Sequence, residues 1–134
     1  MPQVMIVDDD VNQLNSLTRA LRKFPEYTVI SFENAEDALA DARKYDYDVI
    51  ISDLRMPKVD GVTFLSQIKD KQPLAVRIIL SGFCDKEALY GAINVAGADR
   101  YLEKPCSVDS LVKVMEELLS EQKMKTSALT NKDG

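Results

Sequence analysis

Short apolar segments alternate with helical patterns along this chain, and that alternation limits the fold more than any other feature. Gln3 to Val7 (QVMIV) is an apolar run closed by three aspartates. Beyond it Leu14, Leu17, Leu21 and Phe24 recur at helical intervals, which predicts a helix from Val11 to Phe24 that Pro25 stops. Tyr27 to Phe32 is rich in strand formers, and Asn34 with Asp37 forms a capping pair opening a helix through about Lys44. The same reading places strands at 48–52, 76–80 and 98–102, and helices at 62–71, 86–95 and 108–123. Gly91 weakens the helix at 86–95 by about 1 kcal/mol relative to alanine.

Strict alternation of strand and helix implies a parallel sheet covered by helices on both faces and joined by right-handed crossovers. The first, third and fourth strands are nearly unbroken apolar runs, as strands buried on both sides should be. The expected fold is therefore a single α/β, doubly wound, five-stranded parallel sheet with five helices. Its 134 residues suit one domain. That domain is expected over 1–124, with 125–134 as a polar tail or the start of a linker.

Composition removes whole classes of chemistry. With no histidine, Ser-His-Asp and Cys-His catalysis and histidine-based zinc sites are excluded, and the chain cannot carry phosphohistidine. Two lone cysteines, Cys84 and Cys106, cannot close a structural zinc site and point to a reducing, cytoplasmic setting. Lys plus Arg number 17 against 22 Asp plus Glu, a formal charge of −5, so nucleic acid is not an expected direct partner. No apolar run approaches the ~20 residues that span a bilayer, and Met1-Pro2-Gln3 does not open a signal peptide, so no membrane association is expected.

In a doubly wound sheet ligands bind beyond the carboxyl ends of the strands. Asp8, Asp9 and Asp10 follow the first strand, Asp53 the third, Ser81 the fourth, and Lys104-Pro105 the fifth. Singly, each has an ordinary explanation: Asp10 as a helix cap, Asp53 and Ser81 as turn residues, Lys104 as a solvated charge. Together they fall on one rim. Crowded carboxylates with no nitrogen or sulfur ligand suit a hard ion such as Mg²⁺ or Mn²⁺. An aspartate beside that ion can attack a phosphoryl group, with a lysine and a hydroxyl neutralising the equatorial oxygens.

The stretches MIVDDD at 5–10, ISDLRMPKVDG at 51–61, IILSG at 78–82 and GADRYLEKP at 97–105 resemble the receiver domain of bacterial two-component response regulators. The likeness, to a chemotaxis-regulator-like receiver, runs from Val4 to about Leu119. It implies a flavodoxin-like strand order of 2-1-3-4-5. It implies Asp53 as phosphoacceptor, with Asp8, Asp9, Asp53 and the backbone carbonyl of Arg55 as metal ligands. Ser81 becomes the switch hydroxyl, Lys104 the phosphate-contacting lysine, Pro105 the residue after a cis peptide bond, and Tyr101 the aromatic that rotates on activation. Arg55, Gly82 and Phe83 would flank the phosphate path.

Such a protein is no enzyme toward other substrates. It catalyses only its own phosphorylation from a phosphodonor and its own dephosphorylation. Its partners would be a sensor histidine kinase or phosphotransfer protein and a downstream effector protein or domain, reached through the surface of the fourth helix, fifth strand and last helix. A phosphorylation-dependent homodimer is a further expectation. Two rivals remain at this stage, a pseudo-receiver that folds alike without being phosphorylated and a haloacid-dehalogenase-type phosphatase using the Asp-x-Asp of 8–10. A flavodoxin is excluded, because three aspartates in the first loop would repel a flavin phosphate.

Overall fold

A computed structural model describes residues 2–54, 61–82 and 97–132. Its elements run β1 (Gln3–Val7), α1 (Val11–Leu21), β2 (Thr28–Phe32), α2 (Ala35–Ala42), β3 (Val49–Ser52), α3 (Gly61–Lys71), β4 (Val76–Ser81), β5 (Arg100–Glu103) and α4 (Val108–Lys132). The five strands form one parallel sheet in the order β2-β1-β3-β4-β5. The helix expected over 86–95 lies outside the described residues.

Period-two alternation within each buried strand divides the core into two layers. Met5, Val7, Ile50 and Ile79 face α2 and α3, where Ala38, Phe64, Leu65 and Ile68 are fully buried. Val4, Ile6, Ile51, Ile78 and Leu80 face the other side, against Leu14 and Leu21 of α1 and Leu111 and Met115 of α4. The sheet is thus apolar on both faces because both are covered, which is why its central strands read as continuous apolar runs.

Element ends differ from the sequence expectation where backbone bonding decides. α1 stops at Leu21, three residues before the predicted Phe24, because Lys23 and Phe24 donate to carbonyls three residues back and tighten the last turn. α2 likewise ends at Ala42, where Lys44 and Tyr45 both turn back to the Asp41 carbonyl. β5 begins at Arg100 rather than Ala98. Gly97 takes a positive φ of 67°, and the Asp99 carboxylate, not a strand carbonyl, accepts the Arg77 amide at 2.7 Å. α4 continues to Lys132, past the predicted end near Lys123, along a stretch that contains neither glycine nor proline.

At the amino end of the sheet, away from the acidic rim, Arg77 is buried among carbonyls. Its Nε donates to Gly97 and its terminal NH₂ to Gln72, Pro73 and Ala75. This guanidinium satisfies the carboxyl end of α3 and fixes the approach to β5.

Candidate functional site: an acidic cleft at the carboxyl rim of the sheet

The parallel ladder runs one residue past the strands and so sets the site. Asp8 donates its amide to Phe32, Asp53 to Val7, and Lys104 to Ser81, at 3.2, 3.1 and 3.0 Å. The residues following β1, β3 and β5 are thereby drawn to one edge, where β1 lies between β2 and β3 and the direction of winding reverses. That is the switch point at which such sheets bind ligands.

The three consecutive aspartates take three different tasks. Asp10 caps α1, its carboxylate accepting from the amides of Asn12 and Gln13. Asp8 is buried, with one oxygen accepting the Asp10 amide at 2.9 Å and the other accepting from Lys104 Nζ at 3.1 Å. Asp9 is exposed at the mouth. Carboxylate oxygens of Asp8, Asp9 and Asp53 lie within 4.8 Å of one another, a grouping able to hold a metal ion. Lys104 Nζ also meets Asp53 Oδ2 at 3.3 Å.

An open cleft of about 390 Å³ stands over these groups, lined by Asp9, Asp10, Gln13, Asp53, Ser81, Gly82 and Lys104. Ser81 is buried at the end of β4. Among the described residues, a methyl group at Gly82 would touch only Lys104 Cβ, at 3.6 Å, an ordinary van der Waals contact. The Lys104–Pro105 peptide is cis. Tyr101 is half-buried on β5 against the α2/α3 layer of the core. Arg55 and Phe83, expected to flank the site, lie outside the described residues.

Charge in the cleft is balanced unevenly. Burial raises the Asp8 carboxyl above its usual 3.8, and the Asp53 charge adds to this; the Asp10 amide and Lys104 pull the other way without cancelling it. Burial works against the Lys104 charge, but the Asp8 hydrogen bond and the charges of Asp53 and Asp8 outweigh it and leave Lys104 above 10.5. Three clustered carboxylates, one of them held up by burial, form an all-oxygen grouping suited to a hard ion.

Sequence reasoning missed Gln13. Its Oε1 accepts from Lys104 Nζ, so the first turn of α1 contributes to the site as well as the strand ends do. The available signal was its position three residues after the cap Asp10, at the mouth end of the helix.

Fold and site together define a class: a doubly wound α/β domain whose switch point carries an aspartate cluster opposed by a lysine. The chain belongs to the response regulator receiver domain family, whose profile matches residues 4–116. It is similar to the hydrogenase transcriptional regulatory protein HoxA of Cupriavidus necator, 33% identical over 119 residues. That alignment takes in 89% of this chain but 24% of HoxA, so the chain spans about a quarter of that relative.

Among solved structures, a CheY-like receiver domain protein from Methanospirillum hungatei superposes with a TM-score of 0.87 at 28% identity, over 93% of this chain and 98% of that one. A response regulator from Burkholderia pseudomallei, solved with a phosphorylated aspartic acid, a calcium ion and citrate, gives a TM-score of 0.80 at 27% identity, over 98% and 75%. This protein is thus a receiver domain of two-component signalling. The phosphatase and pseudo-receiver alternatives are not favoured. No helix among the described residues is long and apolar enough to cross a membrane.

Proposed function

We propose that Asp53 accepts a phosphoryl group and that the change is read on the β5 side of the domain. The observation carrying this is the convergence of Asp8, Asp9 and Asp53 within 4.8 Å, with Lys104 3.3 Å from Asp53. The donor set is all oxygen and fits Mg²⁺ or Mn²⁺, held by Asp8, Asp9 and Asp53. Such an ion supplies neutralisation of phosphoryl oxygen charge.

An Asp53 carboxylate oxygen attacks phosphorus and forms an acyl phosphate, while the donor's bond to phosphorus breaks, P–N in a phosphohistidine or P–O in acetyl phosphate, and its electron pair leaves with the leaving group. Lys104 and Ser81 lie on the cleft wall where the transferred oxygens would sit, one offering charge and the other a hydroxyl. Hydrolysis of the acyl phosphate resets the switch, so the chain acts only on itself.

A phosphoryl group brings about −1.5 to −2 charges and three strong acceptors. Drawing Ser81 and Lys104 toward it would shift the segments after β4 and β5, with Tyr101 on the strand between. Reversing an equilibrium from 1:99 to 99:1 takes about 5.5 kcal/mol of differential interaction. The donor is a sensor histidine kinase or phosphotransfer protein, and the output is an effector protein, an attached domain or a second copy of this chain. HoxA, much longer than this chain, carries its matching segment within a transcriptional regulator. We assign residues 1–124 to the receiver and 125–134 to a tail or linker, and place the protein in the cytoplasm.

Intact mass after incubation with acetyl phosphate tests the acceptor. A gain of one phosphoryl group that requires Mg²⁺ and is absent in Asp53→Ala is the expected result. A modified Asp53→Ala variant would overturn the assignment. No gain, together with no binding of beryllofluoride, would make this a pseudo-receiver.

A further inference from the structure

Gln13 lines the acidic cleft, and its place three residues after the helix cap explains how it reaches there. Asp10 is the N-cap of α1 and Gln13 the third residue of the first turn, a spacing at which a glutamine side chain commonly returns to the N-cap amide. Here that amide is already taken, because it donates to Asp8 Oδ1 at 2.9 Å. The carboxamide instead crosses to the residue after β5, and its Oε1 accepts from Lys104 Nζ.

An ammonium group has three N–H donors. Those of Lys104 meet Asp8, Asp53 and Gln13. The three acceptors differ in kind. Asp8 and Asp53 belong to the carboxylate cluster that would hold a divalent ion, so both would be shared with that ion and its charge would oppose the lysine's. Gln13 is neutral, stands on a different element and lies outside that cluster.

Lys104 also has room to leave. Lys104 and Gln13 line both the cleft and an adjoining groove of about 660 Å³, walled by Leu17, Leu80, Pro105 and Val108. A lysine released from both aspartates can swing into that groove unless something else holds it.

We propose that Gln13 is a positioning residue: its carboxamide keeps the Lys104 ammonium aimed into the cleft once metal occupies the aspartates, so that Lys104 meets the incoming phosphoryl group in place. The inference rests on Asp53 as the acceptor. It assigns Gln13 no contact with the reacting atoms and no share in holding metal.

The test is a double-mutant cycle on the full chain, with Gln13→Met, Lys104→Met and both together. Mg²⁺ affinity, beryllofluoride affinity at saturating Mg²⁺ and the acetyl phosphate rate are measured for each. Gln13 is exposed, so the expected effect is modest: Gln13→Met weakens beryllofluoride binding and slows phosphorylation about 3- to 10-fold, with Mg²⁺ affinity unchanged within about twofold. In the Lys104→Met background the Gln13 substitution does nothing more.

A packing role for Gln13 would give the same loss in both backgrounds, and that result overturns the proposal. So does a Gln13→Met protein that matches the parent in both phosphate readouts. If the parent itself binds no beryllofluoride, the acceptor reading fails and takes this inference with it. A parent that binds while the cycle shows no coupling leaves the acceptor reading intact and removes only Gln13.

Discussion

Lys104→Met should separate the two cationic demands of the cleft, and its magnitude follows from the geometry. Lys104 Nζ stands 3.1 Å from Asp8 Oδ2 and 3.3 Å from Asp53 Oδ2. At an effective dielectric of ~20 each pair attracts by roughly 5 kcal/mol before desolvation is counted. Side-chain exposures of 20% for Lys104, 9% for Asp8 and 17% for Asp53 place the pairs between the surface and buried regimes. Surface pairs contribute about 0–1 kcal/mol, whereas breaking a buried pair costs about 3–5. A net loss of about 1–3 kcal/mol is expected in metal-free protein at pH 7, a fall in Tm of about 3–12 °C.

Added Mg²⁺ should then reverse the order of effects. The variant has lost the cation that competes for Asp8 and Asp53, so it binds the ion more tightly, and each tenfold gain adds about 1.4 kcal/mol of stabilisation. Lys104 titrates above 10.5, so its contribution is complete at pH 7 and disappears only as pH rises through that raised value. Calorimetry with EDTA and with Mg²⁺ gives the four melting temperatures needed. A variant as stable as the parent without metal, or one gaining no more from Mg²⁺ than the parent does, would refute the reasoning.

Asp8 should show an inverted acid response. Its folded-state value lies above 3.8, so the folded protein takes up that proton before the unfolded chain does, and this group adds stability as pH falls through its titration. Carboxyl NMR on metal-free protein should find the Asp8 midpoint above 3.8; one at or below it contradicts the burial argument. Asp10→Ala removes the cap of α1 and should cost about 1 kcal/mol by urea unfolding, and an unchanged midpoint would deny the cap its role. Thr18 Oγ1 is buried with no partner among the described residues, so Thr18→Val should raise stability by about 1 kcal/mol, and a loss of more than that would mean the hydroxyl is satisfied. Arg77→Met strands the carbonyls of Gln72, Pro73, Ala75 and Gly97 and should cost about 2–4 kcal/mol in the same assay; a cost below about 1 would show that water replaces the guanidinium readily.

Much of this molecule is written locally. The apolar runs at 3–7, 49–52 and 76–81, and the helical spacing of Leu14, Leu17 and Leu21, need only the periods of strand and helix to be recognised. Asp10 and Asn34 announce helix starts because a cap is made within three residues. Even the site residues were legible as the residues standing after strands, since in a parallel sheet those positions share one rim. Local chemistry was less able to fix where elements end. α1, α2 and β5 were each trimmed by turn hydrogen bonds or by the Gly97 backbone, which no periodicity encodes.

Only tertiary structure decided which of the rim residues meet. Lys104 and Asp8 stand 96 residues apart in sequence and 3.1 Å apart in the fold, because parallel strands align their ends regardless of the chain between them. The division of Asp8, Asp9 and Asp10 into a buried carboxylate, an exposed one and a helix cap is likewise set by how β1 hands over to α1, and three identical letters cannot express it. Gln13 is the clearest case. Its local signal is a helix cap, yet Asp8 occupies the amide it would have served, and its carboxamide oxygen accepts instead from a lysine 91 residues away. Sequence fixes a side chain's chemistry and its period; which partner it finds depends on where distant segments of chain are brought together.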